Sequence, residues 1–265
     1  MTLFMMSADT DWYPRFSVYT PHNIICMNTP CDFNYHGPVV VFDLDDTLMR
    51  ERDFCRSGFA EIEKAIITRI PCMKDISERM SALLECRADY FSLLEHELSS
   101  CIPDAVLLKE EMRCLVSLCR NHRPAKLRYA DGAEETLSRL QSHGVVMALI
   151  TDGRSGTQRR KIEALGLECY IREADILISE ETGADKSRPD NFQTIVRRYP
   201  EASRFIYVAD NPRKDFLMPN MLGWLTCRVP YDADNVHPDV EEVGPGHAPA
   251  VNLANLRDVA ELAGV

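Results

Sequence analysis

A Rossmann-like α/β fold, a parallel sheet flanked by helices with a smaller all-helical cap inserted after the first core strand, is the architecture this sequence predicts. Three observations point to it. Short apolar runs recur along the chain, helical patterns separate most of them, and the stretch 51–127 offers helices alone. Strands alternating with helices in this way build βαβ units with right-handed crossovers.

The first run, Val39-Val40-Val41-Phe42, is continuous and apolar, as a strand buried on both faces of a parallel sheet requires. Residues 1–38, which precede it, show no periodicity. They read as an N-terminal extension that packs on the body through Phe4, Trp12, Tyr13 and Phe16. After the first strand come amphipathic stretches: Ile76, Met80, Leu83, Leu84 and Arg87 form one, and Met112, Leu115, Val116 and Cys119 another. An insertion at this point would hang over the carboxyl end of the sheet. The alternation then resumes with a helix over 133–142 stopped at Gly144, a strand over 145–150, and a helix over 159–165 stopped at Gly166. Further strands are expected at 176–178, 205–209 and 224–229. The domain expectation is therefore a core of 39–50 and 128–235, a helical cap of 51–127, and a tail of 236–265 that ends in a short surface helix near 253–262.

Composition removes several classes of function. A net charge of -11 argues against a partner held through a phosphate backbone, so no nucleic acid is expected. Hydrophobic content of 45% with 27% charged residues is ordinary for a soluble globular protein. No apolar run approaches the ~20 residues of a membrane span, so no membrane partner is expected. Ten cysteines form no C-x-x-C pair and share no zinc-like spacing with the seven histidines. The opening residues lack the basic flank and apolar length of a secretory signal, so reduced thiols and a cytoplasmic location are the expectation. Nothing in the sequence indicates an oligomeric state.

Chemistry concentrates where apolar runs end. Asp43-Leu44-Asp45-Asp46-Thr47 follows the first run, and Thr151-Asp152-Gly153-Arg154 the second. Gly183 to Pro189, with Lys186 inside it, follows the third, and Asp210 to Asp215 the fourth. A parallel sheet gathers such strand ends into one crevice. Close carboxylates repel each other unless a cation or a shared proton intervenes. Acids for a hard cation, a hydroxyl and amides for oxyanions, and one lysine suit phosphoryl transfer, where positioning and charge neutralisation supply most of the catalysis.

Four motifs occur here in order. D-x-D-x-T is matched by Asp43, Asp45 and Thr47, and the Ser/Thr ending a second strand by Thr151. A lysine run of the form G-x-x-K-P-x-P-x-x-F is matched by Gly183, Lys186, Pro189 and Phe192, with Ser187 where proline is usual. G-D-x-x-x-x-D is matched by Asp210 and Asp215, with Ala209 in place of glycine. Over residues 39–230 the chain thereby resembles the haloacid dehalogenase superfamily, in its magnesium-dependent phosphatase branch. The resemblance implies hydrolysis of a phosphate monoester of a small phosphorylated metabolite through an aspartyl phosphate. It makes Asp43 the nucleophile and Asp45 the general acid/base. Mg²⁺ would be held by Asp43, the backbone carbonyl of Asp45, and Asp210. Asp215 would order metal-bound water or orient Lys186. Thr151 and the Gly153 amide would hold phosphate oxygens, and Lys186 would neutralise the assembly.

Blander readings stand beside these. Asp46 suits a solvated or capping carboxylate, Thr47 a hydroxyl bonded to its own turn, and Arg188 is a rival phosphate partner for Lys186. Asp152 and Asn211 suit a metal shell or equally a turn, and Arg154, Arg213 and Lys214 suit attraction of an anionic substrate or, more commonly, solvated surface charge. Cys55 has no surroundings that mark a thiolate, and the aromatics Phe54 and Phe59 suit helix packing. A phosphomutase similar to β-phosphoglucomutase shares the same aspartates, and a non-catalytic binding domain shares the fold. Sugar phosphates, nucleotides and flavin mononucleotide all fit as substrates.

Overall fold

In the computed structural model, residues 31–124, 127–239 and 243–265 are described. Phe4, Trp12, Tyr13 and Phe16, with their expected packing, lie outside these residues. From the start of that range, the expected extension joins the body: Tyr35 bonds the Pro38 carbonyl and receives the Val146 amide at 3.0 Å, and Pro38 opens the first strand.

In chain order the elements are β1 (Pro38–Phe42), α1 (Glu51–Ile66), α2 (Ile76–Glu85), α3 (Tyr90–Ser99), α4 (Ala105–Asn121), α5 (Ala133–Ser142) and β2 (Val146–Thr151). They continue with α6 (Ser155–Leu165), β3 (Ile176–Ile178), α7 (Ser179–Thr182), α8 (Asp190–Arg198) and β4 (Arg204–Ala209). The chain closes with α9 (Leu217–Met221), β5 (Leu225–Arg228), β6 (Val251–Asn252) and α10 (Asp258–Leu262). The sheet runs β3-β2-β1-β4-β5-β6 with every pairing parallel.

β1 lies between β2 and β4, so its alternate side chains enter different cores. Val40 and Phe42 join one hydrophobic cluster, while Val39 and Val41 join the other on the opposite face. The order of connection reverses between β1 and β4, and a crevice opens at that reversal beyond the carboxyl ends of the strands.

A third cluster, including Phe59, Ile62, Ile66, Met80, Leu94 and Leu115, lies among α1–α4. Spacings of three and four residues along α1 explain why one stripe of it is buried. Gly58 lets α4 approach: a Cβ there would stand 2.6 Å from Cys119 Sγ. Phe54, nearer the start of α1, belongs to a core cluster of the sheet instead.

The tail differs from expectation. Val251–Asn252 is a sixth strand beside β5, and the final helix covers only Asp258–Leu262. Nor does that helix merely lie on the surface, because Val259 and Ala260 are buried with Leu253 and Leu256 in the main core. A two-residue edge strand has too few positions to show a period, so only its pairing reveals it.

Candidate active site

Asp43 continues the ladder of β1, its amide donating to the Val208 carbonyl at 2.9 Å. That bond brings Asp43 beside the end of β4, where Asp210 begins the next loop. The chain then turns sharply, with Leu44 O accepting the amides of Thr47, Leu48 and Met49. Asp46 sits in this turn with φ of 53°. Of its two expectations the capping one holds: the side chain is buried, and accepts the amides of Glu51 at 3.1 Å and Val236 at 2.8 Å. The turn bond expected of Thr47 is not made, and its buried hydroxyl has no partner.

Lys186 ties the strand ends together. Its Nζ lies 2.5 Å from Asp43 Oδ1 and 2.9 Å from Asp215 Oδ1, all three side chains being buried. The Lys186 amide donates to Asp152, and Asn191 holds the same loop through Ala184 O at 2.7 Å. Where proline was usual, Ser187 completes the turn by donating its amide to Asp185 at 3.0 Å. Asp215 is fixed from its other oxygen by the Asn211 amide at 2.9 Å. Arg188 turns away to Asp190 and stays exposed, so it is no rival for Lys186.

Carboxylate oxygens of Asp43, Asp210 and Asp215 all lie within 4.8 Å of one another. Burial pushes Asp43 up to about 7 against the pull of Lys186, and pushes Asp210 up to about 9 with help from Asp215 and Asp43. Three oxygen donors so crowded suit a hard divalent cation, which would remove the repulsion. They border a cavity of about 120 Å³ whose lining carries seven carboxylates against two lysines and one histidine.

The side chain of Asp45 stands apart from that trio. It receives Lys161 Nζ at 2.7 and 2.8 Å and Gln158 Nε2 at 3.0 Å, and Gln158 also donates to Thr151 Oγ1 at 2.7 Å. Lys161 is buried, which works against its charge, but Asp45 and Glu51 outweigh burial and hold its pKa above the ordinary lysine value. Gln158 lies outside the helix expected from residue 159, while Lys161 lies inside it with no spacing to mark its partner. The signal was a lysine on the apolar stripe of α6, beside buried Ile162 and Leu165.

The Gly153 amide donates to Ser179 Oγ at 2.9 Å, and Gly153 is not part of the cavity wall. Its neighbour Asp152 is, together with Thr151, Asn211 and Lys214. His237 and Glu51 also line the cavity, and neither was singled out in sequence. Burial raises the Cys55 thiol pKa, which leaves no thiolate there.

A family model described as haloacid dehalogenase-like hydrolase matches residues 38–223. The glyceraldehyde 3-phosphate phosphatase of Methanocaldococcus jannaschii is 28% identical over 194 residues, 72% of this chain and 83% of that protein. The ribulose-1,5-bisphosphate 5-phosphatase of Halopiger xanaduensis is 36% identical over 92 residues, 34% of this chain and 38% of that one. Among solved structures, the magnesium-bound HAD-hydrolase YfnB of Bacillus subtilis superposes with a TM-score of 0.57, at 19% identity, over 87% of this chain and 100% of that one. At that identity the likeness speaks for the fold alone.

Proposed function

Because this chain belongs to the haloacid dehalogenase-like hydrolases, we propose that it hydrolyses a phosphate monoester of a small metabolite, with Asp43 as nucleophile and Mg²⁺ as cofactor. One observation carries the proposal: Lys186 and the carboxylates of Asp43, Asp210 and Asp215 meet at a single cavity at the carboxyl end of the sheet. The phosphatase names of the two relatives support the substrate class, and the first favours a sugar phosphate of low mass.

In this reading ionised Asp43 attacks phosphorus and becomes an aspartyl phosphate. Lys186, already against Asp43 Oδ1, balances charge as the nucleophile and phosphoryl oxygens come together. Thr151 accepts from Gln158, so its own hydroxyl hydrogen remains to be donated to a phosphoryl oxygen. Asp45 gives a proton to the leaving oxygen and later takes one from the attacking water. Lys161 and Gln158 hold it in place for both tasks. Asp43, Asp210 and the Asp45 backbone carbonyl would hold Mg²⁺, with the Asp215 carboxylate close by. When bound, the ion draws charge from the phosphoryl oxygens. Helices α1–α4 act as the cap, and a lid at this position keeps bulk water from the phosphorylated intermediate.

A panel that includes glyceraldehyde 3-phosphate and p-nitrophenyl phosphate, assayed with Mg²⁺ and with EDTA, tests this. The wild-type protein should release inorganic phosphate rather than an isomer of the substrate. Asp43→Asn should lose turnover on the order of 10³-fold or more, and chelation should abolish it. Activity that survives complete chelation, or an Asp43→Asn protein as active as the wild type, would overturn the reading.

A further inference from the structure

Away from the acidic cavity, two thiols meet on the surface of the helical layer. Cys72 lies in the turn between α1 and α2, and Cys101 in the connection between α3 and α4. Both are exposed, and their Sγ atoms stand 3.3 Å apart. A disulfide bond measures about 2.0 Å, so closing one requires the sulfurs to approach by only about 1.3 Å, within the reach of side-chain rotation.

Packing does not account for the pair. A free cysteine ordinarily serves as a small buried hydrophobe, as Cys119 and Cys227 do here. Burial raises those two thiols to about 11 and about 12, which leaves them unreactive. Cys72 and Cys101 fill no core, yet the fold carries their sulfurs together across 29 residues of sequence. The segment they bracket is α2 and α3. Salt bridges from Arg69 to Glu111 and from Arg79 to Glu97 cross the same layer.

We propose that Cys72 and Cys101 are a reversible modification site, a dithiol that reacts with low-molecular-weight disulfides such as oxidised glutathione to form an intramolecular disulfide. One thiolate attacks a sulfur of the small disulfide, forming a mixed disulfide and expelling one small thiol. The second cysteine attacks the protein-side sulfur of that mixed bond and expels the other small thiol. Two protein thiols are oxidised, one small disulfide is reduced, and both protons leave on the expelled thiols. The bond closes a loop over α2 and α3 and stiffens the helical layer without touching the acidic cavity.

The test oxidises the native full-length protein with glutathione disulfide and follows intact mass, peptide mapping and amide hydrogen exchange. The wild type should lose two hydrogens, with Cys72 and Cys101 peptides linked, and dithiothreitol should restore the original mass. Exchange across 76–99 should slow severalfold on oxidation while the sheet is unchanged. Cys72→Ser and Cys101→Ser should each retain one bound glutathione on the remaining cysteine of the pair. Thiols that stay unreacted, glutathione retained on Cys72 or Cys101 in the wild type, linkage through other cysteines, or unchanged exchange over 76–99 would each overturn the proposal.

Discussion

Lys161 is a cation on the buried stripe of α6, where aliphatic side chains are the rule. Its ammonium meets both oxygens of Asp45 and lies 4.9 Å from the centre of the Phe54 ring. Removing that charge would leave Asp45 with Gln158 as its remaining side-chain partner among the described residues. Lys161→Met keeps most of the volume and deletes the charge, so it isolates the electrostatic contribution. We expect kcat to fall about 10²-fold on an alkyl phosphate, whose leaving group needs a proton donor. The fall should be much smaller on p-nitrophenyl phosphate, whose leaving group departs unprotonated. Equal losses on the two substrates would show that Lys161 supports the fold rather than the acid. Asp43 and Asp210 could be read from the chain because each directly follows an apolar run, and Asp45 and Asp215 because they stand at motif spacing from them. Lys161 could not be, since a single lysine inside a helical pattern looks the same whether it faces solvent or a carboxylate.

The start of α1 depends on a carboxylate from the preceding turn. Asp46 accepts the first amide of the helix and the Val236 amide while holding a left-handed backbone. Asp46→Ala loses both bonds and adds strain, and should cost about 2 kcal/mol or more in urea denaturation. Asp46→Asn keeps an acceptor and tolerates the same backbone, so its cost should be at most half as large. Further along the same helix, a methyl group on Gly58 would press against both Cys119 Sγ and the Cys119 carbonyl, which lies 2.9 Å away. Gly58→Ala should force α1 and α4 apart and destabilise by about 1–3 kcal/mol, seen as a lower thermal midpoint. The main strands were legible because buried parallel strands are written as unbroken apolar runs. The start of α6 and the whole of β6 were not, because neither a polar first turn nor a two-residue bridge departs from loop composition.

Charge balance in the acidic cluster sets how the whole protein responds to pH. Burial raises Asp43 from 3.8 to about 7 and Asp210 from 3.8 to about 9. Both carboxyls therefore keep protons in the fold that they release on unfolding. Their stabilising contribution is complete below about pH 4 and is lost as pH rises through about 7 and then about 9. Without added metal, the thermal midpoint should fall between about pH 5 and about pH 9, and Asp210→Asn should flatten that fall. Mg²⁺ should raise the wild-type midpoint more at the alkaline end, where it competes with fewer protons. A midpoint that rises with pH in the metal-free protein would contradict this account.

Local physics was enough to place the main strands, most of the helix stops and the acidic turns, since each depends on residues adjacent in the chain. Partner choice was not local. Lys161 meets Asp45 across 116 residues, the Gly153 amide is taken by Ser179, and Val236 bonds Asp46 across 190 residues. A hydrogen bond of that kind forms only where two finished elements converge, and its energy depends on burial that no short stretch of sequence carries. Hydrophobic patterning thus accounts for which segments fold into strands and helices, while close packing at the sheet's carboxyl end selects the side chains that face one another there.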